Sequence, residues 1–473
     1  MVRTMNNRAA RRWPLFLLLV AGLAATACAP LADRIGAAAP DAPTPEVSGV
    51  VEAPAAESGI QPGFPAPGHL AVLADDGNLY LVERGRPPQA VTVDAGSLDD
   101  GATIIYNHPS WSPSGWLSYV RIEAQNPSDV HFDLLAEKPG VTPPQTLLSI
   151  DDAIYVYGAW SPVSCADSEP CSRFAYLVND QNQLALHLVT LGEDGNIIAE
   201  DRVVGRAAPF YYSWSPDGSE MLWFRHDAEL VVYNVYADEI VRRLDTQPGR
   251  FMTPAWSPVD SRFLVAARSD GANELAVIDG DIITPLGERY AGYAFFGWSP
   301  DGQRIAYTHG GDPLAPVIVV EADGTGRRVL DAVEDVVAFF WSPDGTKIAV
   351  VSLVPALEPM PMAGSASVRA RLARQGKNPL DFEFQWSVID VETGEAVMLA
   401  RFLPTASQWY MFKYFAQYER SHSVWSPDSR YIVYADYEHQ TNRNIVYLVD
   451  TEQPQSPPIK VMDGELGVFS FGE

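Results

Sequence analysis

"WSPDGQRIAYTH", residues 298–309, decides the fold of this chain. Ser, Pro, Asp and Gly in that order suit a tight turn: Pro arrives with its φ set, Asp can hydrogen-bond the backbone, and Gly tolerates a positive φ. The runs on either side, "YAFFGW" before and "RIAYTH" after, are rich in β-branched and aromatic residues, so the turn joins two strands. Trp-Ser-Pro opens seven stretches, at Trp111, Trp160, Trp214, Trp256, Trp298, Trp341 and Trp425. From Trp214 to Trp341 the spacing is 42, 42 and 43 residues, a period that marks stacked supersecondary units. Each repeat then supplies a third strand, such as "ELAVID" or "NIVYLVD", and a fourth, such as "RRVLDA".

Four-stranded antiparallel meanders repeated around a ring make an all-β protein, a β-propeller, whose blades hide their faces against their neighbours. The repeated Trp is expected to fill the space between adjacent twisted sheets. The chain ends predict how the ring closes. "GHLAVLADDGNLYLVERGRPPQAVTV", from Gly68, reads as the second to fourth strands of a blade, and the final "GELGVFSFGE" as a first strand with none after it. Sharing one closing blade between the N- and C-terminal strands leaves no open edge. Seven Trp-Ser-Pro blades plus this composite predict eight blades; the alternative is seven, should a weak repeat such as that at Trp160 not stand alone.

The Trp-Ser-Pro-Asp-Gly units at Trp214, Trp298 and Trp341, with decayed copies at Trp111, Trp256 and Trp425, resemble the WD40-like repeat of TolB-type propellers, over roughly residues 69–473. The resemblance implies the fold. It implies no single function, since propellers of this kind include scaffolds, gating domains of peptidases and lyases. The chain lacks the N-terminal α/β domain of TolB itself, which speaks against the Tol-system role.

Ahead of the repeats, residues 1–28 read as an export signal: Arg3, Arg8, Arg11 and Arg12, then the apolar "LFLLLVAGL", then "AATAC" closing on Cys28. Small residues before such a Cys resemble the bacterial lipobox, which implies lipidation of Cys28 and a stable anchor. Plain secretion, with cleavage near Ala27, is the alternative. Residues 29–68 are Ala, Pro, Gly and Ser with a few acids, too polar to offset the entropy of ordering, and read as a disordered tether. The expected address is therefore extracytoplasmic, at the cell surface or in a periplasm, with the membrane met through a lipid anchor alone. In such a compartment Cys165 and Cys171, six positions apart, are expected to form a disulfide, with free thiols the alternative.

With 33 basic and 60 acidic residues the formal net charge is −27, which opposes attraction to nucleic acid phosphates. No Gly-x-Ser-x-Gly elbow, no HExxH and no local cluster of His and carboxylates is present, so the sequence implies no metal, no cofactor and no catalytic residue. The eight histidines are scattered, although His108 and His422 each precede a repeat Trp by three positions.

Departures from the repeat mark the candidate site. Trp341 and Trp425 are 84 residues apart, and two insertions account for the excess. The first, at about 354–384, carries Arg369, Arg371, Arg374 and Lys377 on a predicted helix; the second, at about 403–420, carries Trp409, Tyr410, Phe412, Tyr414, Phe415 and Tyr418. Antiparallel strands alternate direction, so both open on one face of the ring, opposite the Ser-Pro-Asp-Gly turns. Other connections on that face place Arg206 beside Phe210 and Tyr211, Arg250 beside Phe251, and Arg289 beside Tyr290. The arrangement suits a protein or glycan partner in the cell envelope. In the competing reading the basic helix is solvated and the aromatics extend the core. A lyase or hydrolase with a site at the central channel is the alternative function.

Overall fold

The structure, a computed structural model, describes residues 63–472 apart from 99–100, 127–128, 164–170, 181–182, 227–228, 246–252, 270, 291, 293, 310–314 and 357–381. The described strands form seven antiparallel sheets in a β-propeller. Five have four strands each. That of Trp214 runs Phe210–Trp214, Glu220–Arg225, Glu229–Asn234, Glu239–Arg243, in spatial order from the innermost outward. The sheet of Trp111 adds a two-residue strand, Gly96–Ser97, inside Thr103–Trp111.

The expectation of eight blades is corrected to seven, and not through Trp160, whose repeat makes a complete four-stranded sheet. The reason is the last strand. Ile459–Phe469 is continuous for 11 residues. Its residues 459–463 pair with Arg443–Asp450 and its residues 464–469 with His69–Ala74. The strands of the Trp425 repeat and those at the N-terminus are thereby one six-stranded sheet. The closure between the two chain ends is as expected: Leu70 lies opposite Phe469 and Val72 opposite Gly467. Phe64 and Ala66, assigned from sequence to the tether, are buried against this closing sheet, so the packed body begins a few residues before 69.

The repeat's turn has the geometry that its residues favour. In "WSPDG" at Trp298 the Gly302 N–H donates to the Ser299 carbonyl at 2.9 Å, the Ser299 hydroxyl donates to Asp301 at 2.5 Å, and the Arg304 N–H donates to Ser299 Oγ at 2.9 Å. Gly302 takes φ +65°, and a Cβ there would stand 2.4 Å from Val259 of the preceding turn, so both backbone conformation and closeness demand glycine.

Five of the seven repeat Trp residues do more than fill space, while Trp256 donates to the Asp260 carbonyl of its own turn at 3.0 Å and the indole N–H of Trp341 has no partner among the described residues. The indole N–H of Trp160 donates to the Ser110 carbonyl at 3.2 Å, that of Trp214 to Ala159 at 3.0 Å, that of Trp298 to Ala255 at 3.1 Å and that of Trp425 to Phe340 at 3.1 Å. In every case the acceptor is the residue just before the Trp of an earlier sheet. Trp111 closes the circle on Val468 at 3.1 Å. The repeated side chain thus stitches neighbouring innermost strands together while burying its rings, which explains why the sequence needs Trp where Phe could pack.

Candidate functional site

The second insertion forms two short helices, α1 (Ala406–Lys413) and α2 (Phe415–Tyr418). Thr405 caps α1, its hydroxyl accepting from the Gln408 N–H and donating to the Glu465 carbonyl at 2.5 Å. Ser407 donates to the Glu465 carboxylate at 2.9 Å, and the Gln408 side chain accepts from the Ala435 N–H at 2.8 Å. These bonds fix the helix to the wall of the ring at its start.

From there the insertion runs along the axis and meets the innermost strand of every sheet. Phe415, fully buried, lies 5.2 Å from Phe295, 4.8 Å from Phe339 and 5.5 Å from Phe340 between ring centroids. Tyr418 stacks edge-on against Tyr157 at 5.6 Å, and Tyr410 stands 6.3 Å from His108. Arg420 donates to the Trp256 carbonyl at 2.6 Å, Glu419 presses on Gly297, and the Ser421 carbonyl accepts from Ser110 at 3.4 Å. Tyr211 of the Trp214 sheet faces Tyr410. The central channel is filled by the protein's own chain.

This placement decides which expected site residues can meet a partner. Trp409 and Phe412 are buried, Trp409 against Phe384 at 5.6 Å and Phe412 against Trp386 at 5.8 Å, so both belong to the core and not to an exposed rim. Their large apolar surface outweighs any surface role. Tyr410 and Tyr414 are half-buried, with rings 4.6 Å apart, and Lys413 sits over Tyr414 at 4.7 Å. Arg206 and Arg289 are exposed, and Arg206 pairs with Asp180 at 3.4 Å. Arg250, Arg369, Arg371, Arg374, Lys377, Cys28 and Cys165 lie outside the described residues. Cys171, the first residue of its strand, is disulfide-bonded.

Sequence reasoning treated the histidines as scattered, yet two converge at the axis. Burial lowers His108 to about 4, and burial together with nearby His108 lowers His422 to about 3, so both imidazoles are neutral at physiological pH. His422 Nδ1 lies 2.9 Å from Ser421 Oγ, and its ring meets Tyr418 at 4.7 Å. Burial also pushes the Glu419 carboxyl up, against the pull of Arg420. The signal was the shared offset: positions three before a repeat Trp fall at the same level of different innermost strands. Among the described residues no group of His, Cys, Asp and Glu could hold a metal ion, and no helix is long and apolar enough to cross a membrane.

No family profile and no characterised protein matches the sequence. Solved structures do match. TolB from Acinetobacter baumannii is 14% identical over 78% of this chain and 81% of its own, with a TM-score of 0.36. The β-propeller domain of the Trilobed protease from Pyrococcus furiosus is 14% identical over 77% of this chain and 99% of its own, with a TM-score of 0.43. Oligogalacturonate lyase from Vibrio parahaemolyticus is 12% identical over 66% of this chain and 86% of its own, with a TM-score of 0.40. The fold assignment stands on the sheets described above, and no ligand, partner or activity is carried across from these proteins.

Proposed function

We propose that this chain is an exported propeller, tethered to a membrane through a lipidated Cys28 and the Ala- and Pro-rich residues between it and the packed body that begins near Phe64, that binds a protein or glycan partner of the cell envelope on its insertion face and catalyses nothing. The observation that supports this reading best is the filled axis. A substrate entering the channel would have to displace Phe415 and Tyr418, both buried and in ring contact with the innermost strands. A rigid ring with its axis closed offers surfaces, and loops held by a rigid scaffold are where recognition is built. Arg206, Arg289 and the basic segment around Arg369, Arg371 and Arg374 then present positive charge on a protein whose net charge is −27. Cys165 is the partner of Cys171 in this reading, a brace on the opposite, turn-bearing face.

The convergence of His108 and His422 near the axis favours the second reading, a lyase or hydrolase acting on envelope polysaccharide. One experiment separates the two. The full chain and its Arg369→Ala/Arg371→Ala/Arg374→Ala variant are compared for capture of partners from envelope extract and for release of fragments from envelope polysaccharide. Capture lost in a variant that melts like the parent supports binding on the insertion face; fragment release that survives the triple change but disappears in His108→Asn would replace it with the enzyme. The tether has its own check: Cys28→Ser should move the protein from the membrane fraction to the soluble one.

A further inference from the structure

One face of the Trp111 sheet packs Ile122, Phe132 and Ile150 against the Trp160 sheet. Side chains alternate along a strand, so the neighbouring positions face the other way, where they line up across strands as two polar rows. Tyr106, Arg121, Asp133 and Ser149 stand opposite one another in the first row, and Glu123, His131 and Asp151 in the second. Arg121 reaches Glu123 at 2.9 Å, Asp133 at 3.5 Å and Asp94 at 3.6 Å, and the Tyr106 hydroxyl donates to Asp94 at 2.6 Å. The second row lies at the insertion-face end of the two outermost strands, Asp129–Glu137 and Gln145–Asp151.

His131 stands between two carboxylates. Its Nδ1 lies 2.7 Å from an Asp151 oxygen and its Nε2 lies 3.1 Å from an Asp133 oxygen. Carboxylates only accept, and a neutral imidazole has one donor and one acceptor. In either neutral tautomer one ring nitrogen would therefore turn a lone pair on a carboxylate oxygen, whereas the imidazolium donates to both. The Ser149 hydroxyl, 3.2 Å from Nε2, can donate to that nitrogen once the ring is neutral, in place of Asp133. The other charged groups near the ring are Glu123 across the ladder, Asp129 on its own strand, and Arg121, which is shared among carboxylates. Asp151 chiefly, with Asp133, raises His131 above the ordinary imidazole value, although partial burial opposes them.

Asp151 is also the residue at which the chain leaves the sheet. Asp152 follows with a left-handed backbone, φ 54°, and its N–H donates to the Val130 carbonyl at 3.0 Å. Ala153 is buried just ahead of the next innermost strand, Ile154–Trp160. We propose that His131 is a proton-dependent fastener of this connection: as imidazolium it holds Asp133 and Asp151 together, and its deprotonation loosens the segment Asp151–Ala153 where the Trp111 sheet passes into the Trp160 sheet. The inference stands whichever partner the insertion face takes. A raised folded value gives a stabilisation that is complete below about pH 6.5 and is lost as pH rises through the folded value. The connection is thus tight in mild acid and looser in alkali. The side chains of His131 and Asp151 are 36% and 82% exposed, so solvent screens the pair and the effect stays local.

Two measurements on the full chain test this. Histidine side-chain NMR, with the resonance assigned by its loss in His131→Gln, should give His131 a pKa above about 6.5, and Asp151→Asn should lower it by roughly a few tenths of a unit. Hydrogen exchange of peptides covering residues 145–155, corrected for the intrinsic effect of pH, supplies the second readout. Protection there should fall about threefold between about pH 5.5 and about pH 8.5, the weight of a partly exposed ion pair. It should stay level in His131→Gln, which keeps a donor and an acceptor but does not titrate, and which should melt like the parent in alkali. A His131 pKa at or below the ordinary value, protection in the parent that does not change with pH, or a change that His131→Gln shares would overturn the proposal.

Discussion

On the turn face, one contact is repeated: five indole N–H groups reach the same backbone position of a neighbouring sheet, at 3.0–3.2 Å. On the axis, one insertion makes a different contact with each sheet, an aromatic pair here, a backbone hydrogen bond there. The first region can be read from any single repeat, because the same residues solve the same problem each time. The second has no internal copy to read from. Its aromatics look like a surface patch in sequence and are core in the fold, since only the ring's closure creates the space that they fill.

The sharpest way to break this comparison is to ask whether the unique region carries as much stability as the repeated one. Phe415→Ala removes a fully buried ring shared by two sheets, through Phe295 on one and Phe339 and Phe340 on the other, and should cost about 3–5 kcal/mol in denaturant unfolding, the usual toll for emptying such a site. Tyr414→Ala, half-exposed one residue earlier, should cost far less. Equal small effects from both would mean that the plug is an ornament on a ring that stands without it.

Carboxylates in the two regions should answer pH in opposite directions. In the turns, burial pushes Asp301 and Asp344 up, but donation from Ser299 and Ser342 and from backbone N–H groups outweighs it and holds both below the ordinary value. Their stabilisation is present above about pH 4 and fades as pH falls through the lower folded values. Asp436, which accepts from the Leu403 N–H at 2.9 Å where the second insertion leaves its sheet, is pushed by burial, and then by Glu438 and Glu383, from 3.8 to about 6. Folding here favours the protonated form, so stability is full below about 4 and is lost as pH rises through about 6. Asp436→Asn keeps an oxygen for Leu403 and should stabilise the protein by about 2 kcal/mol at pH 8, with no gain at pH 4. A gain of the same size at both values would mean that the charge at Asp436 is not the cause.

How much was legible follows the same division. The turn, the strands around it, the inter-sheet Trp and the joining of the chain ends all stood in the sequence, because residue type and local geometry determine them. The blade count did not. Nothing in "PPIKVMDGELGVFSF" shows that strand Ile459–Phe469 runs unbroken from the Trp425 repeat into the N-terminal one, as continuity is a property of the folded sheet. At the axis, Thr405 could be read as a helix start, but whether Trp409 and Phe412 face solvent or core depends on partners such as Phe384 and Trp386, some 25 residues before them. His108 and His422 are more than 300 residues apart and meet because both stand three before a repeat Trp; that shared offset was the one readable trace of the axial cluster.

The smallest effect tests where the two regions touch. Trp425 donates its indole N–H to the Phe340 carbonyl at 3.1 Å, whereas the indole N–H of Trp341 has no partner among the described residues. By the pattern of the other repeats its acceptor would be the carbonyl of Gly297, the residue against which Glu419 of the axial segment packs. Trp256 also departs from the pattern, donating to Asp260 of its own turn at 3.0 Å, but at Trp341 the insertion and the missing stitch fall at the same place. Trp425→Phe and Trp341→Phe remove the same volume from two buried sites, so the transfer and cavity costs are shared and their difference isolates the hydrogen bond. Trp425→Phe should be the more destabilising by about 1 kcal/mol in urea unfolding. Equal costs would mean that the indole stitches contribute packing alone, and that the repeated face is held by the same non-directional burial as the axis.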